Sequence, residues 1–177
     1  MSLTTRIIDK EKGLIMPWLN KEALDFIRGK VQSWWTVFEW GSGHGTLWWQ
    51  EYVRRITSIE HFSVWYNALK FKVKKNCTLL QRKLIKSKTC AYTNAINEYP
   101  DKYDCIIIDG RNRVLCTKNI LNHVNILGYV ILDNSERPRY KEAIQLLDRT
   151  FKRVLTTTIN KSVLSMRWQT IIWQKVT

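Results

Sequence analysis

The stretch "FEWGSGHGT" sets a carboxylate, Glu39, two residues before three glycines at alternate positions, Gly41, Gly43 and Gly45. Glycine brings no Cβ between backbone and ligand, so a loop of this kind can close on a small molecule. The same composition also serves a tight strand-to-helix turn. A second acid, Glu60 in "ITSIEHF", follows Gly41 by 19 positions. That is near the roughly 20 expected of a carboxylate that accepts two ribose hydroxyl protons. Thr46 stands where the dinucleotide fingerprint has its last glycine, which makes a pyrophosphate cradle a poor match. Loop and acid together suit an adenosine-type ligand better than a dinucleotide.

Two further groups carry chemistry. "IIIDGRNR" supplies Asp109, Gly110, Arg111 and Arg113, and "LDNSERPRY" supplies Asp133 and Asn134, with Ser135 to Tyr140 as a wall for an acceptor. Asp109 could serve as a base, anchor an acceptor or ligate a metal. Arg111, with Arg113 beside it, could clamp a carboxylate or phosphate, or these residues could form an ion-paired loop. His44 has the titration range of a general base, although a loop histidine is more often simply solvated. Trp48 and Trp49 read as packing residues, because the helix after the glycines must bury one side.

The elements around these residues alternate. Leu19, Ala23, Leu24 and Ile27 have helical spacing, with Asn20 as N-cap. "TVFEW" is a short strand, and "TLWWQEYVRR" resumes a helix after the glycines. "ITSIE" is a second strand, with Ser63 capping a helix that carries Val64, Trp65, Ala68 and Leu69. A third strand lies in "NCTLLQRKL", and a short helix around "TNAINEY" stops at Pro100. "YDCIIIDG" is apolar throughout Cys105 to Ile108, as for a central strand covered on both faces. A helix then places Leu115, Cys116, Ile120, Leu121 and Val124 on one side. It leads to Gly128 and the strand "YVILD", and "YKEAIQLLDRTF" is the last helix. "RVLTTTI" and "RWQTIIWQ" close the chain with no helix between them, which predicts an antiparallel pair beside an otherwise parallel sheet. In such α/β sheets ligands lie beyond the carboxyl ends of the strands, where Glu39, Glu60, Asp109 and Asp133 all fall.

The 177 residues predict one domain with a real core. A formal charge of +14 attracts anions, whether nucleic acid, an acidic sugar or a phosphorylated molecule. Eight basic residues between Lys70 and Lys88 alternate with apolar ones, as on the solvated faces of a helix and a strand. Cys77, Cys90, Cys105 and Cys116 show no C-x-x-C spacing, so reduced, mostly buried thiols are expected rather than a zinc cage or disulfides. No signal-like or membrane-length apolar run is present, and the expectation is a soluble, cytoplasmic protein.

These motifs resemble the class I S-adenosylmethionine-dependent methyltransferases over residues 17 to 174. "VFEWGSGHGT" is similar to their first motif, "ITSIEH" to the strand with the ribose-binding acid, and "YDCIIIDGR" to the strand with the later acid. "LGYVILDNSERPRY" resembles a stretch of the small-molecule branch. The resemblance implies a Rossmann-like α/β three-layer sandwich with strand order 3-2-1-4-5-7-6 and strand seven antiparallel. The single domain would comprise an N-terminal helix (17–30), a cofactor-binding half (36–100) and an acceptor-side half (101–177). It also implies S-adenosyl-L-methionine as cofactor, touched by Glu39, Gly41, Ser42, Gly43, Glu60, His61, Tyr92 and Asp109, and Asp109 and Arg111 as catalytic residues.

The expected activity is O- or N-methylation of a small, anionic or sugar-like acceptor. The alternative is a nucleic-acid-binding protein or nucleic-acid methyltransferase. No membrane partner is expected. Asp109, Asp133 and Asn134 look like the ligand set with which catechol-type relatives hold a divalent ion. Arg111 and Arg113 put positive charge there instead, so a metal is not favoured.

Overall fold

The computed structural model describes residues 8–9, 13–161 and 167–177. Seven strands form its sheet: β1 (Thr36–Trp40), β2 (Arg55–Glu60), β3 (Cys77–Gln81), β4 (Tyr103–Ile108), β5 (Val124–Asp133), β6 (Lys152–Thr156) and β7 (Thr170–Gln174). Their order is β3-β2-β1-β4-β5-β7-β6. The first five are parallel, and β7 runs antiparallel to both β5 and β6. Short antiparallel pairs join Ile8–Asp9 to Leu14–Ile15 and Asn160–Lys161 to Arg167–Trp168 outside this sheet.

Alternation along the strands divides the core in two. Val37, Ile56, Cys105, Ile107, Ile131 and Ile172 face α1 (Lys21–Arg28) and α2 (His44–Trp49), packing on Leu24, Ile27, Trp48 and Trp49. Phe38, Trp40, Ile106, Ile108, Val130 and Leu132 face the opposite layer. After α3 (Ser63–Leu69), that layer is built by α4 (Ala91–Asn94), α5 (Arg113–Lys118) and α6 (Lys141–Thr150). The Cys105 to Ile108 run is wholly buried, as a strand covered on both faces requires. Asn20 caps α1 as expected, its Oδ1 accepting from Glu22 N at 3.0 Å. All four cysteines are free, and all but Cys90 are buried.

Four local expectations need correction. α2 ends at Trp49 rather than continuing to Arg55, because the Arg54 amide is drawn 3.0 Å to the Trp35 carbonyl below β1. Ser63 is the first residue of α3 and makes no side-chain cap, and of the face expected to be buried only Leu69 is. α5 stops at Lys118, and Ile120 and Val124 reach the same apolar layer from a turn and from β5. β5 begins at Val124, ahead of Gly128. A register shift opposite Tyr103 to Cys105, with Leu127 at φ +65°, absorbs the irregularity that looked like a strand boundary.

One close approach sets the geometry at the carboxyl edge. Gly41 has φ +95°, and a Cβ there would lie 2.8 Å from Gly110 Cα. A Cβ on Gly110 would fall 1.8 Å from the Tyr92 hydroxyl. The glycine loop and the loop after β4 are therefore in backbone contact, with no room for side chains between them. Gly110→Ala should lower stability by about 3 kcal/mol through overpacking, and adding Tyr92→Phe should restore part of it by removing the clashing oxygen. Urea unfolding of the single and double variants checks this. A Gly110→Ala protein as stable as the parent would refute the packing argument.

Candidate functional site

Glu39 sits at the end of β1, in register with Ser58 of β2 and Ile107 of β4. Its Oε2 accepts from Ser58 Oγ at 2.6 Å and from the Thr46 hydroxyl. Thr46 Oγ1 in turn accepts from the Gly43 amide at 2.9 Å, so the glycine loop is tied to the acid through one hydroxyl. Oε1 has no donor among the described residues, and a Cβ on Gly45 would stand 2.8 Å from it. Burial pushes the Glu39 carboxyl up to about 7, against the two hydroxyl hydrogen bonds, and Glu60 adds a smaller push in the same direction.

Glu60 ends β2 and is also buried. Its Oε1 accepts from the amides of His61 (2.7 Å) and Phe62 (2.8 Å), and Oε2 accepts from Ser42 Oγ at 2.8 Å. The His61 ring lies 5.5 Å from the Tyr92 ring, and its Nδ1 is 3.0 Å from Glu60 Oε1 without hydrogen-bond alignment. Tyr92 was expected to touch the cofactor. It is fully buried and offers no surface to a ligand, while its hydroxyl accepts from the Arg111 amide at 3.2 Å and supports the loop after β4 from below.

At the ends of β4 and β5 the organising group is Arg113. Its Nη2 donates to Asp109 Oδ1 at 2.9 Å, Asp109 O at 2.7 Å and Asn134 Oδ1 at 3.2 Å. Its Nη1 donates to the Asp133 carbonyl, and its Nε to that of Gly110 at 2.9 Å. Arg113 is thus a buried tie and not an acceptor clamp, whereas Arg111 is exposed. Asp133 points into the sheet, with Oδ1 accepting from Thr170 Oγ1 at 2.6 Å. Burial raises both the Asp109 and Asp133 carboxyls above their usual range, repulsion from Asp109 raises Asp133 further, and Arg113 offsets part of each shift. Asp109, Asp133 and Asn134 do not fit a divalent ion in this arrangement, since the guanidinium already occupies their shared side.

A cavity of about 280 Å³ opens above β1, β4 and β5 on the α1 side. Glu39, Gly41, Ser42, Gly43, His44 and Asp109 line it, as do Trp48 and Trp49, which both pack and form a wall. The Asp109 side chain is 33% exposed here. Glu60 and His61 lie outside this lining.

The sequence reading missed Trp18 and Trp65 at this cavity and the two hydroxyls on Glu39. Trp65 is 39% exposed, and its indole N–H donates to the Ser42 carbonyl at 2.6 Å, holding the ring beside Gly43. The signal for Ser58 was its place opposite Glu39 in a parallel pair. Nothing in the sequence marked Trp18.

No protein-family model matches the sequence, and no curated protein matches it. Solved structures do. The N-methyltransferase NodS from Bradyrhizobium japonicum WM9 aligns with TM-score 0.63 at 10% identity, over 89% of this chain and 96% of that one. SMU.1697c, a putative methyltransferase from Streptococcus mutans in complex with SAH, aligns with TM-score 0.63 at 12% identity, over 90% and 99%. The precorrin 8w decarboxylase of Methanobacterium thermoautotrophicum aligns with TM-score 0.64 at 16% identity, over 96% and 97%. The chain has the class I methyltransferase fold. Within this methyltransferase fold the glycine loop, Glu60 and Asp109 stand at the ends of β1, β2 and β4, the edge at which open α/β sheets take ligands.

Glu39 gives a test that needs no ligand. Below pH 4.5 the carboxyl is protonated in both folded and unfolded chains and contributes nothing. Between 4.5 and about 7 the unfolded chain ionises while the folded one resists, so this group destabilises the fold as pH rises. The gap amounts to roughly 3 kcal/mol above pH 7. Glu39→Gln should therefore be more stable than the parent at pH 8 and match it near pH 4, as measured by denaturant midpoints. Equal stability at both pH values would show that Glu39 is not held against ionisation.

Proposed function

We propose that the chain is an S-adenosylmethionine-dependent methyltransferase acting on a small, anionic or sugar-like acceptor. The observation that carries this reading is Glu39. It is a buried carboxylate with one oxygen fixed by two hydroxyls and the other free at the wall of the glycine-loop cavity. Such an oxygen is a receptor for a cationic ammonium, and a nearby carboxylate, Asp109, adds to the negative potential.

The cofactor, when bound, supplies an activated methyl group on a sulfonium, so the protein's tasks are alignment and proton management. Glu39 and the backbone from Gly41 to Gly43 would hold the amino-acid end. Glu60 would hold the ribose hydroxyls, its direction fixed by two backbone donors on Oε1. Asp109 faces the cavity with a raised carboxyl. It can take a proton from an acceptor hydroxyl or amine or orient that group by a hydrogen bond. Trp18 and Trp65 present aromatic surface to the same cavity, suited to a cation.

A second reading has its own observation. Phe62 and Trp65 are exposed along α3, and Phe71, 86% exposed just beyond its end, lies under the Lys70 ammonium at 5.0 Å. Aromatic faces among lysines suit single-stranded nucleic acid. Filter binding across a salt series decides it: steep loss of affinity with salt supports a nucleic-acid substrate, and no binding at low salt removes it.

Calorimetry should show S-adenosylmethionine binding and no NAD binding, and the reverse would refute the methyltransferase reading. Glu60→Ala should weaken cofactor binding by about 1.5 to 3 kcal/mol for the lost charge-assisted hydrogen bonds. Asp109→Asn should suppress turnover while sparing cofactor affinity, and full activity in that variant would remove Asp109 from the reaction.

A further inference from the structure

The loop after β3 and the segment between β5 and α6 meet over the start of α5 around a second cavity of about 670 Å³, on the sheet's other face. Lys86, Arg111 and Arg139 line it, between apolar walls that include Leu84 and Leu115. None of these three cations has a carboxylate within ion-pair distance among the described residues. One carboxylate, Glu142, also lines the cavity and pairs with Lys118 at 2.7 Å, while Asp109 pairs with Arg113 and Glu136 with Arg137 at 3.4 Å.

The recess is held in place rather than left to chance. Asn112 donates from Nδ2 to the Ile85 carbonyl at 2.8 Å and accepts from the Ser87 amide at 3.1 Å, which staples the Lys86 loop to the start of α5. Arg139 is steadied over the Tyr140 ring, 5.0 Å from its centroid.

Three uncompensated cations around one recess repel each other, and a single carboxylate would balance only one of them. A phosphoryl group carries about −1.5 to −2 at neutral pH, with oxygens that match the forked donors of arginine. We propose that this cavity binds a phosphoryl group carried by the methyl acceptor. The proposal rests on the methyltransferase reading and narrows its substrate class. Arg113 lines this cavity and is bonded to Asp109, which lines the other. An acceptor reaching over this shared Asp109–Arg113 pair would place its phosphate here and its nucleophile beside Asp109.

The test is titration of the full chain with inorganic pyrophosphate, followed by calorimetry at low salt. Lys86→Ala combined with Arg139→Ala should weaken binding at least about tenfold. Lys152→Ala, an exposed charge on β6 at the far edge of the sheet, should leave it within about twofold. Equal losses in both proteins, or none, would overturn the site in favour of a diffuse positive field. Succinate binding as tightly as pyrophosphate would overturn the phosphoryl assignment. S-adenosylhomocysteine affinity should be the same with and without pyrophosphate, and displacement by it would assign the cavity to the cofactor and overturn the acceptor role. Pyrophosphate binding with the expected dependence in a protein that does not bind S-adenosylhomocysteine would refute the methyltransferase reading while upholding the phosphoryl site.

Discussion

The Arg113 guanidinium is what lets two carboxylates stand together at the end of a dry sheet. Asp109 and Asp133 close adjacent parallel strands, and without a cation between them their repulsion would add to the penalty of burial. Arg113 meets that problem with five bonds that also join the backbones of Asp109, Gly110 and Asp133. The ends of β4 and β5 are thereby locked to α5. Only after that can Gly110 lie flat against Gly41 and carry the glycine loop on its back.

The same edge holds charge by two different devices. Asp109 has a cation on its carboxylate, whereas the Asp133 carboxyl accepts from Thr170 and is raised to about 8. Among the described residues Glu39 has no cation within hydrogen-bonding reach, and there its ionised form is supported only by the hydroxyls of Ser58 and Thr46. Burial outweighs that support, which is why its carboxyl is raised to about 7. A cation against Glu39 Oε1 would supply the compensation that the two hydroxyls do not. Thr46, which spoils the dinucleotide fingerprint, is the residue that makes this work, since its hydroxyl replaces a close helix–strand glycine contact with a hydrogen bond to the acid.

The sheet was legible because strand patterns are local. Cys105 to Ile108 announces a central strand by composition alone, and the absence of a helical pattern between the last two runs announces their antiparallel pairing. Glu39, Gly41, Gly43 and Asp109 were legible as neighbours because they stand at strand ends on one sheet edge, where they line one cavity. What was hidden depended on the third dimension. Arg113 and Arg111 are two positions apart and look alike in sequence, yet the first opens α5 and is buried while the second lies in the loop before it and is exposed. Tyr92 was placed at the ligand by the resemblance, and α4 turns it inward beneath Gly110. Val64 and Trp65 have the spacing of a buried face, and α3 leaves them outside because only Leu69 reaches the layer below.

Of the Lys70 to Lys88 charges, Lys86 lines the second cavity, together with Arg111 and Arg139. The first cavity, by contrast, is lined by carboxylates and tryptophans. The protein therefore offers a negative recess on one face of its sheet and a positive one on the other, with the Asp109–Arg113 pair as the partition between them. A cation and an anion bound on the two sides would each relieve repulsion within their own recess, and both would leave the partition intact, since Arg113 and Asp109 already compensate each other. An ion pair bonded to backbone on both strands is a stable wall for that purpose. It explains why a chain so rich in lysine and arginine still uses a buried arginine, with its rigid fork of donors, at this one point.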